Sequence, residues 1–146
     1  MESIKIMKVR DNAKIPIRAT EGSAGLDLCA CIDEPITIPG RGHAFVPTGI
    51  AVALPGSAWA AFVFARSGLA IKHGIGLLNG VGVVDSDYRG EVRVGLINQF
   101  DEDYTISPGE RIAQLVVMPV SMMPVEEADT LDETDRGAGG FGSTGR

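Results

Sequence analysis

Cysteine is nearly missing: Cys29 and Cys31 are the two in 146 residues. At i, i+2 on a strand they would share a face, but a bridge between such close neighbours is geometrically poor. They read as two buried free thiols in a reducing, cytoplasmic setting, not as a disulfide framework. Long apolar runs are missing too. No stretch approaches the ~20 residues that cross a bilayer, and the opening MESIKIMKVRDN scatters charge with no apolar h-region. Neither a membrane span nor a signal peptide is expected. Positive charge is short, with 13 Lys and Arg against 19 Asp and Glu, and a net charge of −6. That balance argues against a broad footprint on nucleic acid. An anionic ligand would need local arginines, backbone N–H groups and a metal ion to overcome an unfavourable mean field.

Helical periodicity is also scarce. No window of helical length sustains a 3.6-residue period; SGLAIKHG (67–74) and EEADTLDE (126–133) are the best candidates, a turn or two each. What is present is a series of short Val- and Ile-rich runs punctuated by Gly and Pro. GLDLCAC (25–31) alternates, with Leu26, Leu28 and Ala30 on one face, and FVPTGIAVAL (45–54) groups Ile50, Val52 and Leu54. AWAAFVFA (58–65) is apolar on both faces, as an interior strand would be, EVRVGLI (91–97) alternates again, and RIAQLVVMP (111–119) is nearly continuous. ITIPG (36–40) and YTISPG (104–109) are near-repeats of a short strand followed by Pro-Gly. Many short strands between turn signals predict an all-β sandwich, barrel or jelly roll. Composition shifts after Pro124, from apolar to acidic and then Gly-rich. The chain therefore divides into one all-β domain over 1–124 and a mobile C-terminal arm over 125–146.

Five stretches carry chemistry. The arm ends RGAGGFGSTGR (136–146), which contains G-x-G-x-x-G at Gly137, Gly139 and Gly142. The dinucleotide reading fails, because that motif follows a strand and opens a helix; the P-loop reading fails because Ser143 stands where a lysine belongs. A solvated tail remains one reading. The other is a segment that closes over a nucleotide, with Phe141 on a base and Arg136, Gly142, Ser143 and Thr144 on phosphates. VGVVDSDYRGEV (81–92) reads as a hairpin whose tip holds two carboxylates, Tyr88 and an arginine, either as an ordinary turn or as a site. ARSGLA (65–70) offers a charged fork, a hydroxyl and an unobstructed N–H to phosphate oxygens, or merely a surface turn. AGLDL (24–28) sets Asp27 opposite Leu26 and Leu28, and GERIAQL (109–115) puts the Gln114 amide on an apolar face, where a structural hydrogen bond or a ligand must satisfy it.

Taken in chain order, as AGLDL, RSGLA, GVVDSDYRGEV, GERIAQL and RGAGGFGSTG, and at these separations, the five stretches resemble the motifs of the trimeric dUTPase family, from about residue 20 to the end. The resemblance implies a distorted jelly-roll fold, a homotrimer with shared active sites, and hydrolysis of dUTP to dUMP and pyrophosphate with Mg2+ on the triphosphate. It implies that Asp85 activates water for attack on the α-phosphorus. Val83 and Val84 would meet the uracil edge with main-chain groups, Tyr88 would pack beneath deoxyribose and exclude a 2′-hydroxyl, and Asn79 and Arg93 would contact the nucleoside or reach the site. Arg66, Ser67, Gly68 and Gln114 match the phosphate side. Asp27 matches an acid that organises Arg66 or metal-bound water; no direct protein ligand to the metal is expected. Arg136 would reach the γ-phosphate, and Phe141 would stack on uracil while Gly142, Ser143 and Thr144 close. The arm would do so on a neighbouring subunit.

Two departures stand out. Ala65 replaces the usual Pro of the second motif, and Glu110 replaces the usual Asp of the fourth, which could alter a salt bridge between subunits. The related dCTP deaminases carry a catalytic Glu where this chain has Gly95, so deamination is not expected. A silent nucleotide-sensing or protein-binding relative would have dispensed with the base, yet Asp85, Tyr88 and the whole arm are present.

Overall fold

The continuous apolar run becomes the longest strand of the protein, β11 (Arg111–Pro119), in a computed structural model that describes residues 3–142 and residue 145. The remaining elements are β1 (Lys5–Lys8), β2 (Leu26–Cys29), β3 (Ile36–Ile38), β4 (His43–Pro47), β5 (Ile50–Ala53), β6 (Trp59–Phe64), α1 (Ser67–His73), β7 (Ile75–Leu77), β8 (Gly82–Val84), β9 (Arg93–Asn98) and β10 (Tyr104–Ile106). They form an all-β, jelly-roll-like architecture without a closed barrel. A four-stranded sheet runs β2-β11-β6-β8, a three-stranded sheet runs β4-β9-β7, and two ribbons pair β1 with β5 and β3 with β10. Each pairing is antiparallel.

Burial follows the sequence pattern. β6 has strands on both sides and buries Ala60, Ala61 and Val63; β11 buries Ile112, Ala113 and Leu115; β9 buries Val94 and Leu96. Each such Val, Leu or Ile contributes about 1.5–3 kcal/mol by leaving water. The two near-repeats lie side by side as β3 and β10, with the Thr37 and Thr105 hydroxyls 2.8 Å apart. Asn98, fully buried, donates to the carbonyls of Ile38 and Glu102 and accepts from Phe100 N–H, so its amide is satisfied without water.

Several expectations need correction. The segment 81–92 is not a hairpin: β8 pairs with β6, whereas β9 pairs with β4 and β7. A turn does form, with Tyr88 N–H donating to Asp85 C=O at 3.2 Å, but it carries the chain from one sheet to the other. FVPTGIAVAL likewise splits into β4 and β5, joined through Gly49 at φ 71°, and these strands pair with different partners. A Cβ at Gly49 would meet Cys31 Sγ at 2.6 Å and Ala13 Cβ at 2.7 Å. The helical reading holds at 67–73, which ends on Gly74 in the left-handed region with Lys72 and His73 in the last turn. It fails at 126–133, where the chain is non-helical and exposed throughout; an acidic stretch this short with no surface to pack on cannot offset helix nucleation. Cys31 is buried as expected, donating to Asn12 Oδ1 at 2.9 Å, but Cys29 is half-buried; both are free. Glu110 is engaged within its own chain, accepting from Tyr104 Oη and from Ser107 N–H.

Candidate active site

The segment that bridges the two sheets lines a cavity of about 250 Å3. Val63, Gly82, Val83 and Val84 wall it from the four-stranded sheet, and Phe45, Leu77, Arg93, Val94 and Gly95 from the three-stranded one. Asn79, Asp85, Tyr88, Glu91 and Val92 complete the lining. The cavity thus brings together Asn79, Val83, Val84, Asp85, Tyr88 and Arg93. β8 is an edge strand, so the main-chain groups that do not face β6 remain free for a planar ligand with its own donors and acceptors. Tyr88 Oη donates to Glu91 C=O at 3.0 Å, which occupies the hydroxyl proton and presents the ring as a wall. Arg93 lies 4.3 Å over the Phe45 ring, a cation–π contact that fixes the guanidinium at one side of the opening.

The cavity's two carboxylates differ sharply. Glu91 accepts from Arg10 through both oxygens, at 2.7 and 3.1 Å, and from Gly49 N–H at 2.9 Å. The Arg10 bond, opposed by burial, holds its carboxyl below the usual range. Asp85 is exposed and its carboxylate has no hydrogen-bond or ion-pair partner among the described residues. Of the two, Asp85 is the carboxylate left open to solvent or a ligand among the described residues.

A second cluster forms at one end of the four-stranded sheet. Asp27 stands opposite Gln114 in the ladder, and its two oxygens accept from Arg66 Nε and Arg111 Nη1, each at 3.2 Å. Arg66 also donates to Arg111 C=O, and Gln114 Nε2 donates to Ala65 C=O at 2.9 Å. Two guanidinium groups against one carboxylate leave the cluster net positive, the sign an anion requires. Ser67 and Gly68 follow in α1, both exposed; a Cβ at Gly68 would meet nothing within 4 Å, so packing within the chain does not demand glycine there. Gly25 is different, because a Cβ would strike Gln114 Oε1 at 2.4 Å.

The third group is the arm. Every residue from Ser121 to Gly142 is exposed, including Arg136, Phe141 and Gly142. Ser143 and Thr144 lie outside the described residues. None of Arg66, Ser67, Gly68, Gln114, Arg136 or Phe141 lines the cavity, so one chain does not unite the three groups. Sequence reasoning missed Phe45 and Glu91 as cavity residues. Glu91 lay inside a quoted motif, but its partner Arg10 is 81 positions away, and nothing in the local pattern marks Phe45.

Among the described residues, no group of three or more His, Cys, Asp or Glu side chains is placed to hold a metal ion. Asp27 has both oxygens committed to arginines, which suits it to contact metal-bound water and not the ion itself. This donor set fits Mg2+, which keeps several waters and is held largely through substrate phosphates.

Comparison with known proteins adds an independent line. A family model described as dUTPase matches residues 11–145. A deoxyuridine 5'-triphosphate nucleotidohydrolase of Desulfitobacterium hafniense (strain DSM 10664 / DCB-2) is 54% identical over 97% of this chain and 95% of its own. One of the same description from Hahella chejuensis (strain KCTC 2396) is 50% identical over the same shares, 97% and 95%. Among solved structures, a mutant dUTPase of Staphylococcus bacteriophage 80alpha with dUpNHpp superposes with a TM-score of 0.89 at 23% identity, over 99% of each chain. A mutant dUTPase from phage phi11 of S. aureus, described with a structural Mg(II) ion, gives 0.79 at 19% identity over 88% of this chain and 97% of its own. At these identities the structural matches bear on the fold.

Proposed function

The chain belongs to the dUTPase family and hydrolyses dUTP, and from that premise we propose that Asp85 activates the attacking water while the cavity at 79–95 holds deoxyuridine. The observation that carries this reading is the contrast between the cavity's carboxylates: Glu91 is held by Arg10 and Gly49, whereas Asp85 has no side-chain partner among the described residues. Attack falls on the α-phosphorus, and dUMP and pyrophosphate leave. Val83 and Val84, on an edge strand, offer main-chain groups to the uracil edge, so a C5 methyl or a C4 amino group meets a wall or the wrong donor pattern. Tyr88, its hydroxyl tied back to the chain, lies against deoxyribose and leaves no room for a 2′-hydroxyl. Asn79 and Arg93 contact the nucleoside side of the ligand.

The triphosphate runs to Arg66, Ser67, Gly68 and Gln114. Asp27 orients Arg66, and the open space at Gly68 admits a phosphate against the backbone. Asp27, its oxygens held by Arg66 and Arg111, would contact Mg2+ through a bound water, and the ion, when bound to the triphosphate, would neutralise phosphate charge. The working unit is the homotrimer with shared sites that the family resemblance implies, and the separation of the cavity, the arginine cluster and the arm within one chain supports sharing between subunits. Residues 1–124 form the domain and 125–146 an arm that crosses to a neighbour. There Arg136 meets the γ-phosphate, Phe141 stacks on uracil, and Gly142, Ser143 and Thr144 close. Glycine keeps the arm mobile, and nucleotide contacts offset the entropy of ordering it. No helix among the described residues is long and apolar enough to cross a membrane. The two free thiols support a cytoplasmic enzyme.

Hydrolysis in 18O-labelled water tests the assignment, run on dUTP, dCTP, dTTP and UTP with and without Mg2+. Label in dUMP, with dUTP strongly preferred and Mg2+ required, is the expected result. Label in pyrophosphate would place attack elsewhere, and ammonia release from dCTP would mean that the cavity acts on the base.

A further inference from the structure

Glu91 does more than fill the cavity wall. Its side chain is 17% exposed, yet it is charged, and it joins three parts of the chain that are remote in sequence. Arg10, just beyond β1, grips both oxygens; Gly49, between β4 and β5, donates its N–H to one of them; and the Glu91 carbonyl accepts from Tyr88 Oη. The backbone on either side is tied down as well. Val92 N–H donates to Ile50 C=O at 2.8 Å, Thr48 Oγ1 donates to Val92 C=O, and Val9 N–H donates to Gly49 C=O at 2.8 Å. The bonds at Glu91 and Val92 thus anchor the segment that carries Asp85 and Tyr88 to the β4–β5 turn, and Val9 and Arg10 tie the N-terminal strand to the same anchor. A carboxylate with two charge-assisted bonds from one planar guanidinium is fixed in angle as well as in distance.

We propose that Glu91, held by Arg10 and Gly49 N–H, is a positioning residue that sets the place of the Tyr88 ring and so how tightly the site excludes a ribonucleotide. The inference rests on the reading of Tyr88 as the wall beneath the sugar. With the grip intact, the carbonyl that holds Tyr88 Oη stays fixed and the ring cannot retreat. With the grip broken, the ring yields, UTP gains access, and dUTP loses a packing surface. This predicts a change in discrimination, whereas a merely structural role would lower both activities by one factor.

The test compares full-length wild type with Arg10→Ala, Arg10→Lys, Glu91→Gln, the Arg10→Ala/Glu91→Gln double variant and Tyr88→Ala. For each, kcat and KM are measured on dUTP and on UTP, with melting temperature as a folding control. Arg10→Ala and Glu91→Gln should each lower the dUTP:UTP ratio of kcat/KM by about tenfold, roughly the effect of releasing one charge-assisted bond. For dUTP the change should fall mainly on KM. The double variant should be no worse than the weaker single, since both break one grip. Arg10→Lys, which keeps the charge but not the fork, should fall between. If Tyr88→Ala lowers the ratio and the Arg10 and Glu91 variants leave it unchanged, the proposal is overturned while the sugar-wall reading stands. If Tyr88→Ala itself leaves the ratio unchanged, that reading fails and the proposal falls with it. Should Glu91→Gln not fold, the two variants of the half-exposed Arg10 decide the matter alone.

Discussion

Arg66 and Asp27 meet at 3.2 Å across the strand that carries Gln114: β2 bears the acid, β6 runs into the arginine, and β11 lies between them. The contact gives the arginine a fixed direction before any ligand arrives. Asp27→Ala would leave Arg66 and Arg111 facing one another without their shared carboxylate. Steady-state kinetics on dUTP should show kcat/KM reduced about 10–100-fold, the weight of one charge-assisted hydrogen bond. A variant within twofold of wild type would mean that Arg66 needs no such guide.

Gly25 tests the same neighbourhood by steric means. A Cβ there would strike Gln114 Oε1 at 2.4 Å, with Gln114 Cβ at 3.1 Å. Gly25→Ala should push the amide off Ala65 C=O and cost about 1–3 kcal/mol of stability, with a fall in kcat/KM that Gln114→Ala reproduces. Denaturant titration and kinetics on both variants check this. If the alanine is silent in both measurements, the amide has room to move without loss.

The strands were legible because apolar alternation marks what a strand buries. β11 spans the whole 111–119 run, and β6 is as interior as its two apolar faces require. Partnership was not legible. Alternation says which face is buried but not against which strand, so the sequence of β8 and β9 predicts one hairpin although each belongs to a different sheet. The site divides the same way. Chemistry-bearing residues stand out by type and local order, as at Asp85 and Arg66. Residues that act through contacts remote in sequence do not, and Glu91 with Arg10 is the clearest instance.

The distal part of the arm can be removed without touching the core. Truncation after Thr134 deletes only residues that are exposed, among those described, so the melting temperature should stay within about 2 °C of wild type. Turnover of dUTP should fall roughly 100-fold, because the closing contacts are lost. Full activity in the shortened protein would refute the closing role.

Tyr104 gives a pH signature. Burial, and then the bond to Glu110, pushes its hydroxyl up to about 12 from an ordinary value of 10.0. The folded state therefore holds this proton when the unfolded chain has released it. The contribution is intact below pH ~10 and is lost as pH rises toward ~12. Urea midpoints measured across that window should fall more steeply for wild type than for Tyr104→Phe. Parallel curves would show that this hydroxyl titrates normally.

One carboxylate, that of Asp85, sits at the corner between the two sheets. The most direct measurement of its role is single-turnover hydrolysis of dUTP by Asp85→Asn, alongside the dissociation constant of a non-hydrolysable dUTP analogue for the same protein. The amide keeps the shape but cannot take a proton from water. Turnover should drop by about 100-fold to 10,000-fold, the usual weight of a positioned base, with analogue binding within a few-fold of wild type. Turnover near the wild-type rate, with binding intact, would contradict the account.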